Sequence, residues 1–264
     1  MALTAAAQRA ITMRADKDTR RALLAGAASG AWLLVTGCTR ASSHAVEPET
    51  PRRSGDAENA KKDAGKEPVV TPAEDLMQEH GLVERVLLVY EEVARRIEAH
   101  AEVDPATLGG ATSLVERFIQ DYHEKSEEEF VFPALEAKQR EVELVRVLRL
   151  QHQRGRELTA EIARRTKNFK ASPELAAMLR DFSRMYRPHA AFEDTRAFPA
   201  FRETLDDAAY RELGEKFEDR EHERLGARGF EQAVAEIARL EAALGVGELD
   251  KFTPESPTRG SEHG

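Results

Sequence analysis

Between residues 71 and 204, apolar side chains recur at spacings of three and four, the period of an amphipathic helix rather than of a strand. The first stripe is Leu76, His80, Val83, Leu87, Tyr90, Ala94 and Ile97. It is opened by Thr71-Pro72-Ala73-Glu74, a capping-box sequence with proline at the first helical position. Asp104-Pro105 and Gly109-Gly110 interrupt the pattern, and a second stripe then carries Val115, Ile119, His123, Glu127, Phe130 and Ala134. A third, from near Glu141, carries Val145, Leu148, His152, Gly155, Thr159 and Ile162. Ser172-Pro173 starts a fourth, through Met178, Phe182, Met185, His189 and Glu193 to Pro199. The pattern predicts an all-α fold. Connections this short make neighbouring helices antiparallel, so residues 71–204 are expected to form an up-down-up-down four-helix bundle, with an additional C-terminal helical segment over residues 205–252.

Each stripe holds one histidine near its middle, and the second and fourth add a glutamate one turn later. The same arrangement shows as a repeat: HEKSEEEFVFPA, residues 123–134, aligns with HAAFEDTRAFPA, residues 189–200, keeping the His, the Glu four residues on, and Phe-Pro-Ala. A lone histidine on an apolar stripe is usually a core residue with satisfied hydrogen bonds. Two carboxylates facing the same interior change the balance. An unpaired buried carboxylate costs several kcal/mol, and no lysine or arginine lies on these stripes to offset it; Arg154 and Arg156 leave the third within half a turn. A multivalent cation offsets the cost directly, with imidazoles as co-ligands. Residues at i and i+4 lie one above the other on a helix, so a His and a Glu can grip neighbouring metal positions. The expected ligands are His80, His123, Glu127, His152, His189 and Glu193. Ferritin-type bundles use Glu-x-x-His, and no histidine here has a glutamate three residues before it. The zinc-protease pattern His-Glu-x-x-His fails as well, because Glu127 stands where the second histidine would be.

Six positions on four helices, agreeing in type, order and spacing over roughly residues 73–203, resemble the hemerythrin-like, or HHE cation-binding, family. The resemblance implies a four-helix bundle holding two non-haem iron ions, with Glu127 and Glu193 bridging them and two histidines on each. The oxygen-carrying hemerythrins have a fifth histidine where this chain has Arg156, and an aspartate where it has Glu193. The four-His, two-Glu set is instead similar to di-iron proteins linked to iron-sulfur cluster repair. Four histidines, two bridging carboxylates and an oxo or hydroxo bridge leave about two of the coordination positions of an iron pair open. That implies binding of a small diatomic or peroxide, O2, NO or H2O2. Turnover as a peroxidase or NO-reductase-like enzyme with an electron donor, and iron storage, donation or cluster repair, stand as alternatives.

A net charge of -9 argues against a nucleic-acid partner, which needs a concentrated basic face. Residues 1–38 read as an export signal: Thr19-Arg20-Arg21-Ala22-Leu23-Leu24 resembles a twin-arginine signal, and Val35-Thr36-Gly37-Cys38 a lipoprotein cleavage box. The apolar run between them is short for a membrane span. The mature protein is therefore expected on the periplasmic side, in contact with the membrane only through a lipid on Cys38. Residues 39–70 read as a flexible linker and 253–264 as a disordered tail. Tyr122 and Tyr186 read as packing aromatics, and Glu221-His222-Glu223 as a solvated face.

Overall fold

A computed structural model describes residues 71–255. The readings of residues 1–38 and 39–70, and most of the tail, lie outside the described residues. Among those described the chain is all-helical, with no strand, and no helix is long and apolar enough to cross a membrane.

Helix α1, Pro72–Glu98, starts as its sequence dictates. The Thr71 hydroxyl accepts from the Glu74 amide, and the Glu74 carboxylate accepts from the Thr71 amide at 3.0 Å. Helix α2 is one continuous helix over residues 105–137, capped by Asp104, whose carboxylate accepts from the Ala106 amide. Gly109 and Gly110 therefore do not break the pattern as expected. The missing side chain at Gly110 is used in packing, since a Cβ there would stand 3.0 Å from Leu240 Cδ2. Helix α3 is Val142–Lys167, and α4 spans residues 173–202, with the Ser172 hydroxyl accepting from the Leu175 amide. Pro188 does not interrupt α4, which stays helical across it. Helices α5, Asp207–Leu225, and α6, Gly229–Leu244, follow, and a short 3-10 turn, Leu249–Phe252, comes last among the described residues.

Both copies of the repeat contain the same backbone irregularity. The Phe132 amide donates to the Glu127 carbonyl and the Phe198 amide to the Glu193 carbonyl, so each glutamate opens a wider i→i+5 turn. Pro133 and Pro199 follow immediately; each lacks an amide hydrogen and crowds the preceding turn, which explains why the i→i+4 ladder gives way there. The extra residue advances the register. Beyond Glu127 the buried positions are Val131, Phe132 and Leu135, while Phe130 and Ala134, expected on the stripe, are only partly buried.

Two apolar clusters make the core. One runs through Val83, Val86, Tyr90, Leu108, Phe118, Ile119, Ile162, Leu179 and Phe182, and takes Ala233, Ile237 and Leu244 from α6. The other holds Leu76, Val131, Phe132, Leu148, Phe198 and Phe201, and takes Tyr210, Leu213 and Phe217 from α5. Along every one of α1 to α4 the chain passes from one cluster to the other through a histidine, and the polar layer between them is the candidate site.

Candidate metal centre

All six expected residues converge in that layer, none more than 5% exposed, with Glu127, His152 and Glu193 fully buried. Their inward atoms interlock. Glu127 reaches His123 Nε2 with one oxygen (3.6 Å) and His152 Nε2 with the other (3.4 Å). Glu193 Oε2 lies 3.1 Å from His189 Nε2 and 3.4 Å from His80 Nε2. Each carboxylate thus touches one histidine from the α1–α2 pair and one from the α3–α4 pair. The histidines themselves group as His80 with His123 and His152 with His189, ring centroids 4.9 Å apart in both cases. The repeated Phe-Pro fixes these rings: Phe198 stacks on His80 at 5.5 Å and Phe132 packs against His152 at 5.4 Å.

The outward nitrogens are all held. His123 Nδ1 bonds Glu79 (2.7 Å), His80 Nδ1 bonds Asp194 (2.7 Å), His152 Nδ1 meets Glu128 (3.1 Å) and His189 Nδ1 meets Gln151 (2.9 Å). The partners form a closed circuit: α1 serves the histidine of α2, α2 that of α3, α3 that of α4 and α4 that of α1. With Nδ1–H donating outward on His123, His152 and His189, their Nε2 atoms present lone pairs inward, as His80 does once it gives up the proton that Asp194 and Glu193 favour on it. His152 Nε2 and His189 Nε2 face each other at 3.2 Å, close to the roughly 3 Å between two cis nitrogens on one metal ion. All four oxygens of Glu127 and Glu193 are buried without a hydrogen-bond partner. Orphaned buried carboxylates facing inward lone pairs form an arrangement that a cation satisfies and that is costly without one.

Charges within the layer are correspondingly polarised. Burial and the neighbouring Glu193 push the Glu127 carboxyl well above the usual carboxylate range. Burial opposes ionisation of Glu193 too, but His189 and His80 hold it well below that range. Burial likewise opposes a charge on His80, yet Asp194 and Glu193 outweigh it and raise His80 to about 9. His123 falls to about 3, through burial and the charge of His80, and His152 to about 4, mainly through burial.

The outer partners Glu79, Asp194, Glu128 and Gln151 were not singled out in the sequence, although each adjoins an expected ligand. Two aromatics read as packing have polar contacts here. Tyr122 donates to Glu79 (3.0 Å) and Tyr186 to Glu124 (2.5 Å). Arg156 lies one layer out, its guanidinium 2.7 Å from both Glu124 and Glu128. Burial raises Glu124 to about 8, against the lowering effect of Tyr186. Gly155 leaves the space for Tyr186: a Cβ there would fall 1.9 Å from the tyrosine hydroxyl. A small cavity of about 10 Å³ is lined by His80, His123, His189, Glu124, Tyr186 and Ile119 among others, and has room for roughly one water or diatomic molecule.

Buried histidines and glutamates whose ligand atoms lie within 4.8 Å of one another, brought together by helices, form a cluster able to hold metal ions in a helical protein. Residues 71–201 match the family described as the hemerythrin HHE cation binding domain, and the chain belongs to that family. Uncharacterized proteins of Mycobacterium tuberculosis and Mycobacterium bovis are each 41% identical to it over 190 residues, covering 70% of this chain and 74% of theirs. No solved structure matches it significantly.

Proposed function

We propose that the protein is a non-haem di-iron protein, with His80 and His123 holding one iron, His152 and His189 the other, and Glu127 and Glu193 shared between them. The supporting observation is that the four orphaned oxygens of the two glutamates each belong to a carboxylate spanning both histidine pairs. We place this site in an up-down-up-down bundle of α1–α4, a reading supported by the packing of α1 on α4, of α4 on α3 and of α3 on α2. A metal pair bridged by an oxo or hydroxo group would supply open Lewis-acid positions. The chain's own contribution is then clear. The two apolar clusters exclude bulk water, Nδ1 partners fix each ring, and the cavity beside His80, His123 and His189 admits one small ligand, O2, NO or H2O2. Tyr186 and Glu124 give that cavity its polar wall.

Export and lipid attachment at Cys38 are the accompanying proposal for location, which puts the site on the periplasmic side, away from a cytoplasmic role in cluster repair. The test is iron content and absorption after anaerobic Fe(II) loading, followed by O2, NO and H2O2. Two irons per chain and a ligand-dependent spectrum without turnover support a binding protein. Steady consumption of ligand with a reductant supports the redox-enzyme reading. Fewer than two irons, or a strict preference for zinc, contradicts the di-iron reading.

A further inference from the structure

The circuit of outer partners is uneven. His80 and His123 rest on carboxylates, Asp194 and Glu79, both at 2.7 Å. His189 rests on the neutral amide oxygen of Gln151, and His152 on Glu128 at the longer distance of 3.1 Å. Glu128 also accepts from Arg156 (2.7 Å) and Lys125 (2.6 Å), so two cations draw on the charge it offers to His152. A carboxylate on Nδ1–H raises the electron density at Nε2 and strengthens its bond to a metal; an amide does so weakly, as does a carboxylate already neutralised. The inward donors run the other way, because Glu127 and Glu193 both group with His152 and His189 whereas only Glu127 groups with His80 and His123, so two outer carboxylates at 2.7 Å stand against one added inward carboxylate.

We propose that the two metal positions are unequal: the His80/His123 position binds tightly and fills first, and the His152/His189 position is the exchangeable one, with Gln151 and Arg156 as the positioning residues that set the difference. This rests on the two-metal reading above. It gives the site a working asymmetry, in which one metal stays while the other is gained and lost.

The experiment is a competition titration of the metal-stripped full chain with Co(II) against a chromophoric chelator. Two equivalents are expected, with affinities at least about 10-fold apart. Gln151→Glu supplies the missing carboxylate and is expected to tighten the weak step by about 10-fold while leaving the strong step in place. Asp194→Asn, on a partly exposed side chain, is expected to weaken only the strong step. Gln153→Glu adds the same charge to the exposed side of α3, away from His189, and is expected to move neither. Two equal steps in the unaltered chain, or a Gln151→Glu shift no larger than that of Gln153→Glu, would overturn the inequality and leave the two-metal reading standing. Fewer than two equivalents would overturn both.

Discussion

Replacing Glu127 by glutamine changes one atom and almost no shape, and its effect on stability should reverse with metal. The Glu127 side chain is fully buried, neither oxygen has a hydrogen-bond partner, and His152 Nε2 lies 3.4 Å away. Burial holds the Glu127 carboxyl well above the usual range, so near neutral pH it must take up a proton on folding, whereas an amide is neutral without one and can donate to that nitrogen; Glu127→Gln should therefore stabilise the metal-free chain by about 1–3 kcal/mol. At roughly 2–4 °C per kcal/mol for a domain of this size, the melting temperature rises by roughly 2–12 °C. With metal the sign inverts, because the variant has lost a donor shared by both positions. A 100-fold loss of affinity at each position removes about 5.4 kcal/mol of metal-linked stability at saturating metal. Paired calorimetric melts of stripped and Co(II)-loaded protein measure both. If Glu127→Gln destabilised the stripped chain by several kcal/mol, the carboxylate would be paired within the protein and the cation argument would fail.

Three further outcomes are expected. His80 is raised to about 9 in the folded chain, so its contribution to the metal-free protein is complete below pH 6.5 and lost as pH rises through 9; melts across that window should show a decline that His80→Gln flattens. Gly155→Ala should drive Tyr186 off Glu124 and cost about 1–3 kcal/mol through overpacking, visible as a lower melting temperature and an altered near-ultraviolet tyrosine signal, whereas a silent substitution would mean that α3 yields there. Arg20→Lys with Arg21→Lys should hold the precursor inside the cell with its metal bound; export of the doubly substituted precursor would favour the general secretory route.

The helices and the inward histidines and glutamates were legible because burial imposes a helical period and because an unpaired carboxylate on an apolar face needs a partner. What the period could not reveal was the local departure from it. After Glu127 and Glu193 the wider turns shift the register, so Phe132 and Phe198, rather than Phe130, reach the site and pack on His152 and His80. Pro133 and Pro199 were the visible signal. The outer circuit was hidden for a different reason. Glu79, Asp194, Glu128 and Gln151 each sit beside an expected ligand in sequence, about 100° around the helix, and each serves a histidine on a different helix, a pairing that only tertiary packing reveals. Gly109-Gly110 misled because glycine can mark a close helix contact as well as a break, and Leu240, on a helix far along the chain, is what Gly110 accommodates.

The most direct test of the two-metal centre is anomalous diffraction at the iron edge from crystals of the Fe(II)-loaded protein. The expected result is two peaks, one between His80 and His123 and one between His152 and His189, both within bonding reach of Glu127 and Glu193. A single peak, or density at Glu124 and Glu128 with the six inward side chains unengaged, would contradict it.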